Sequence, residues 1–262
     1  MERAALLAST ICYLSGFGLT LYALGAGRFR PGRFDMLAVG LGAAFQGWFL
    51  LLRGAREHAC PIGGLQETLI FLSWSVALLY LVVGSAYRLS LMGAFTSPLV
   101  LVLQTAGLIL PDGSRSGFLR PNPWVEAHAA LSLIAYGAFG LACVSGLMYL
   151  VQEGQLKSRR PAPIFHHLPP ISILSEATVR LMAAGLVLLT AGFAAGLLAR
   201  GTVTGGKYWF SLGVWALYAA VLAASRSGAL AGRRFAAAAA GSFALALLLL
   251  PVIERLSSVR HG

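Results

Sequence analysis

Residues 127–151 read AHAALSLIAYGAFGLACVSGLMYLV, a run of 25 residues without an Asp, Glu, Lys or Arg. A helix needs about 20 predominantly apolar residues to cross a membrane. In lipid, only the chain itself can pair with backbone N–H and C=O groups, so such a run must be helical. Seven further runs have the same character: 4–26, 34–52, 68–87, 89–110, 181–199, 208–225 and 235–253. The alternating pattern of a membrane barrel is absent. The chain therefore reads as an all-α, polytopic membrane helical bundle with about eight transmembrane helices, residues 1–262 forming one integral membrane domain. Only Arg88 separates the third and fourth runs, and Pro98 leaves open a kinked or re-entrant fourth run. The first run follows Glu2 and Arg3, ends in Arg28-Phe29-Arg30 and has no A-x-A site, as expected of a retained span.

Composition agrees. Of the 262 residues, 58% are hydrophobic and 11% charged, and mean hydropathy is +0.77. Soluble domains carry about 25% charged residues, so a soluble enzyme, a disordered tail and a disulfide scaffold are all excluded. The net charge of +11 arises from basic residues in short loops. That placement reads as membrane topology and not as nucleic-acid binding. Cys12, Cys60 and Cys143 form no C-x-x-C pair, so a thiol relay has no support.

Eight crossings put the N-terminus, loops 53–67, 111–126 and 200–207, and the C-terminus on one side, called side A. Side B carries loop 27–33, Arg88, loop 152–180 and loop 226–234. Side A holds nine Lys and Arg, side B eleven in denser clusters. The positive-inside rule then makes side B cytoplasmic and both termini extracytoplasmic, in a multi-pass protein of the plasma or inner membrane.

No Asp, Glu, Lys or Arg falls in the middle of a run, which weakens a transporter or proton-relay reading. A one-sided set of His and Trp remains. His58, His128 and His261 lie on side A, and Trp48, Trp74, Trp124, Trp209 and Trp215 lie in the side-A halves of their helices. The tryptophans suit an interfacial aromatic belt, yet belts form at both interfaces. His128, Ser132, Ala135, Tyr136 and Phe139 share one helical face. Histidines beside aromatic rings suit a flat apolar cofactor, since haem iron takes imidazole as an axial ligand. Arg115, Arg120, Arg200 and Lys207 are candidate propionate partners. Zinc wants three or four clustered ligands, which side A lacks. Gly192-x-x-x-Gly196 would let a neighbouring helix approach closely.

Three stretches resemble the cytochrome c assembly protein family, the haem-handling membrane proteins of the CcsA, CcmC and HemX type. The first is His58-Ala59-Cys60-Pro61 with Glu67-Thr68-Leu69-Ile70-Phe71-Leu72-Ser73-Trp74, then Gly93-Ala94-Phe95 and Pro98. The second is Trp124, His128, Leu131, Tyr136, Tyr149-Leu150, Leu156-Lys157, Leu168-Pro169-Pro170 and Leu174. The third is Trp215-Ala216-Leu217-Tyr218 with Gly232-Arg233-Arg234. Together they cover roughly residues 55–235.

The resemblance implies eight helices and an extracytoplasmic haem site between two histidines. His128 matches the first, and His261, seven residues after Glu254, stands at the place of the second. Haem b is the implied cofactor, with Trp124, Tyr208 and Trp209 walling the ring and a side-A basic residue such as Arg120 on a propionate. The family's tryptophan-rich loop, W-G-x-x-W-x-W-D, is here Gly205-Gly206-Lys207-Tyr208-Trp209-Phe210, and the seventh-span histidine is missing near Ala223 or Ala224. The chain thus resembles the shortened, HemX-like branch. The resemblance implies a haem carrier or chaperone supporting cytochrome c biogenesis. Thioether formation, as part of a haem lyase, would need partner proteins and an apocytochrome. The alternatives are a HemX-like regulator or scaffold of haem synthesis, working through His166, His167 and the 157–170 connector, and a small-molecule transporter.

Overall fold

The computed structural model describes residues 2–26, 33–57, 60–62, 64–87, 92–111, 122–158, 169–199 and 206–258. Its helices are α1 (Glu2–Gly25), α2 (Arg33–Glu57), α3 (Leu65–Tyr87), α4 (Met92–Ile109), α5 (Pro123–Ser158), α6 (Ile171–Leu198), α7 (Gly206–Arg226) and α8 (Arg233–Ser258). Each is long and apolar enough to cross a membrane, and the described residues contain no strand. The fourth run is one helix with Pro98 inside it.

Two helices outrun their apolar segments. Asn122 starts α5 early: its Oδ1 accepts the Trp124 N–H at 3.0 Å, and Pro123 takes the first helical position. Beyond Val151, Glu153 and Lys157 pair at 2.7 Å one turn apart and carry the helix to Ser158. The pair Glu176–Arg180 plays the same part in the first turns of α6, which begins at Ile171, ten residues before the apolar run. At 1.5 Å per residue α5 is about 54 Å long, against about 30 Å of hydrocarbon. Gly228 (φ +79°) and Gly232 (φ +53°) make the turn from α7 to α8, where their left-handed backbone is open to glycine at no steric cost.

The first four helices are joined by polar groups. Arg53 on α2 meets Glu67 on α3 at 3.0 Å and Glu2 on α1 at 3.6 Å. One turn deeper, Gln104 on α4 donates to Thr10 Oγ1 at 2.9 Å and to the Leu6 carbonyl at 3.2 Å. Tyr13 donates to Gln46 Oε1 at 2.8 Å, and Gln46 donates to the Ile70 carbonyl at 2.8 Å. At the other end, Asp35 accepts from Tyr80 at 3.1 Å and from Thr20 at 3.4 Å. The start of α1, the end of α2, the start of α3 and the end of α4 therefore share one end of the bundle. Neighbours run antiparallel, as eight crossings require.

The last four helices are joined by small residues. α5 is the most buried helix and packs on α3, α4, α6 and α8. A Cβ added to Gly146 would stand 2.8 Å from the Ala236 carbonyl oxygen, so α5 and α8 meet backbone to backbone. Phe139 lies over Gly185 of α6 and stacks on Tyr218 of α7 at 3.5 Å and 6°.

This packing makes Gly146→Val costly. The clash is with backbone, which cannot swing away, and overpacking costs about 1–3 kcal/mol. Gly241, with nothing within 4 Å of its added Cβ, is the matched control, and Gly241→Val should leave stability nearly unchanged. Thermal unfolding of both variants in detergent checks this, and equal losses would contradict the close α5–α8 crossing.

Candidate functional site

His128 sits in the second turn of α5, on the face shared with Ser132 and Phe139. That face is turned to α6. The His128 Nδ1 lies 2.7 Å from the Gly192 carbonyl oxygen. A carbonyl can only accept, so Nδ1 carries a proton, and in the neutral imidazole Nε2 keeps its lone pair. A Cβ added to Gly196 would lie 2.9 Å from Nδ1, and one added to Gly192 would lie 2.9 Å from Ser132 Oγ. Gly185, Gly192 and Gly196 thus form one notched face of α6, into which Phe139, Ser132 and His128 fit in turn. The Gly192-x-x-x-Gly196 spacing is an internal packing device. Ser132 Oγ, one turn below the imidazole, is buried and has no hydrogen-bond partner among the described residues.

A His tied through Nδ1–H to a backbone carbonyl is the arrangement that aims Nε2 at a metal. It suits one axial ligand of haem iron. A closed tetrahedral metal site is not built here: no three His, Cys, Asp or Glu side chains converge among the described residues.

The other expected site residues are less gathered. Trp124 stands one turn before His128 and is 49% exposed. Trp209, at the start of α7, is 69% exposed and opens a groove of 460 Å³ between α7 and α8, with Phe210, Val214, Leu217 and Leu245 on its walls. His128 does not line that groove. Tyr218, nine residues along α7, faces Phe139 of α5. Nine residues turn a helix through two and a half turns, so Trp209 projects on the opposite side of α7 from α5. His58, Arg115, Arg120, His166, His167, Arg200 and His261 lie outside the described residues, as do the Lys207 and Tyr208 side chains.

Several residues of the quoted stretches do structural work. Trp74 Nε1 donates to the Ala43 carbonyl at 3.0 Å, fastening α3 to α2. Trp215 Nε1 donates to Thr190 Oγ1 at 2.9 Å, fastening α7 to α6. Glu67 is held by Arg53. Trp48, Trp124 and Trp209 keep exposed rings, as an interfacial belt would. The residues that sequence reading missed are Arg53, Asp35 and Gly185. The signal for Gly185 was its seven-residue step to Gly192, two helical turns along the same face.

Comparison with known proteins adds an independent observation. The family described as cytochrome C assembly protein matches residues 62–256. A protein HemX from Brevibacillus brevis is 26% identical over 63% of this chain and 61% of its own length. The cytochrome c biogenesis proteins CcsA of Chlorella vulgaris and of Synechococcus sp. (strain JA-2-3B'a(2-13)) are each 26% identical. They cover 61% and 66% of this chain, and 61% and 69% of their own lengths. The chain thus spans about three fifths of the HemX relative.

The His128 geometry can be tested with no ligand present. Histidine-selective ¹⁵N spectra of the detergent-solubilised protein should contain one neutral imidazole protonated on Nδ1, and this signal should vanish in His128→Ala. Gly196→Val should shift it, since the added Cβ meets the ring. An Nε2–H tautomer at His128 would contradict the hydrogen bond to Gly192.

Proposed function

The chain belongs to the cytochrome c assembly protein family, and from that premise we propose that it handles haem in support of cytochrome c biogenesis. It is a multi-pass membrane protein. The proposed place of work is the extracytoplasmic rim of the plasma or inner membrane, side A, where α5 begins. The observation that carries the reading is the His128 imidazole, protonated on Nδ1 by its bond to Gly192 and so offering Nε2 as an iron ligand.

In this reading His128 holds the iron of haem b as one axial ligand, and His261 supplies the second. Trp124, Tyr208 and Trp209 offer aromatic surface to the ring, and Arg120 pairs with a propionate. Haem is the cargo. The chain's own residues bind and orient it, and partner proteins with an apocytochrome carry out attachment. The shortened tryptophan-rich loop at 205–210 favours holding or delivery over catalysis. The same loop, with the HemX relative, supports a second reading: a membrane regulator or scaffold of haem synthesis without haem turnover.

The experiment is an absorption spectrum of the protein purified in detergent after expression with added haem precursor. A Soret band is expected, with haem content at least tenfold lower in His128→Ala, because loss of an iron ligand removes binding that packing cannot replace. Added imidazole should restore much of the band in His128→Ala, which a merely structural histidine would not allow. A wild type without a Soret band, or a variant with the same haem content and band position, sinks the proposal.

A further inference from the structure

Away from His128, a cavity of 790 Å³ opens on the same side of the bundle between α1, α2, α3 and α4. Its walls change character within one turn. Glu2 and Arg3 stand at the rim on α1, with Leu6 and Leu7 beneath them. Arg53 and Arg56 stand at the rim on α2, with Phe49 and Leu52 beneath. Four residues of helix rise about 6 Å, so both helices pass from guanidinium to aliphatic surface at one depth. That is the step from headgroup to acyl chain in a leaflet.

The charge pattern is specific. Arg53 is held from behind by Glu67 at 3.0 Å and Glu57 at 2.9 Å. Neither carboxylate lines the cavity, whereas Arg3, Arg53 and Arg56 do, against one lining carboxylate, Glu2. Arg56 bonds Glu2 at 3.3 Å and keeps 61% of its side chain exposed, so its guanidinium is open to a further anion. On the apolar floor, Leu6 and Phe49 are buried, while Leu7 is exposed and opens the cavity sideways to the bilayer. From Arg56 to Phe49 the lining is about 10 Å deep, too shallow a groove for a transmembrane helix to lie along.

We propose that this cavity is a binding site for one anionic phospholipid, its phosphate against Arg3 and Arg56 and the start of an acyl chain along Leu6, Leu7, Phe49 and Leu52. A soluble anion has no use for the apolar floor. A zwitterionic lipid brings its own cation against the arginines, and like charges there repel. The site is independent of His128 and of haem.

The test is native mass spectrometry of the full chain, delipidated in detergent and offered equimolar phosphatidylglycerol and phosphatidylcholine. The wild type should retain phosphatidylglycerol at least tenfold over phosphatidylcholine, as two guanidiniums facing one phosphate imply. Arg3→Gln/Arg56→Gln should bring the two to parity. Leu52→Trp, which keeps every charge and fills the floor, should reduce retention of both lipids while thermal unfolding stays close to wild type. Equal retention of the two lipids by the wild type overturns the proposal. So does unchanged preference in the double variant and in Leu52→Trp, or displacement of phosphatidylglycerol by haem that the double variant abolishes.

Discussion

The close approach of α5 and α6 is the contact on which the second half of the molecule depends. In a bilayer there is little hydrophobic gain in moving a leucine from lipid to protein, so helices must find another reason to associate. Here the reason is shape. Gly185, Gly192 and Gly196 notch one face of α6, and Phe139, Ser132 and His128 enter the notches. The same absence of side chains exposes the Gly192 carbonyl to the imidazole. Packing and protonation are therefore one event: the notch that lets the helices meet also decides which nitrogen of His128 bears the proton.

The first half is held together differently. Asp35, Tyr13, Gln46, Gln104 and Arg53 lie on the inner faces of α1, α2 and α4, and every one of them bonds a neighbouring helix. From Asp35 to Arg53 the polar set extends about 27 Å along α2. Burying such groups in lipid without partners would be costly, and their mutual pairing removes that cost. Interhelical bonds of this kind are individually modest, about 0.6 kcal/mol on average where they have been measured. Their effect is to fix which helix faces which.

The helices were legible in the sequence because membrane crossing imposes a length and a composition that no soluble helix shares. Their ends were less so. The apolar run ending at Val151 gives no hint that Glu153 and Lys157 continue the helix, because solvated i,i+4 pairs stabilise a helix without adding hydropathy. At the candidate site, His128 and the Gly192–Gly196 spacing were each visible, but not that one receives the other. Periodicity names the face of a helix, not the neighbour it meets. Trp74 and Trp215 show the same gap: both fit an aromatic belt by position, and both spend their indole N–H on a neighbouring helix. Asp35 escaped notice because it opens its helix, where a carboxylate is ordinary; Thr20, Tyr80 and the space at Gly93, on other helices, turn it inward.

The distribution of charge bears on the choice between carrier and transporter. Among the described residues, the charged groups tied into the bundle stand at its two ends, Arg53 with Glu67 and Glu2 at one and Asp35 at the other. Between them the polar groups are neutral amides and hydroxyls, and Gln46 and Gln104 are each engaged by more than one partner. A pathway for a charged solute needs mid-depth groups that can exchange partners with it. Gln46 and Gln104 are committed to holding helices together. In the proposed function, an anionic, flat, apolar cargo would be met at a rim. The one histidine among the described residues stands at such a rim, with its reactive nitrogen uncommitted to the fold.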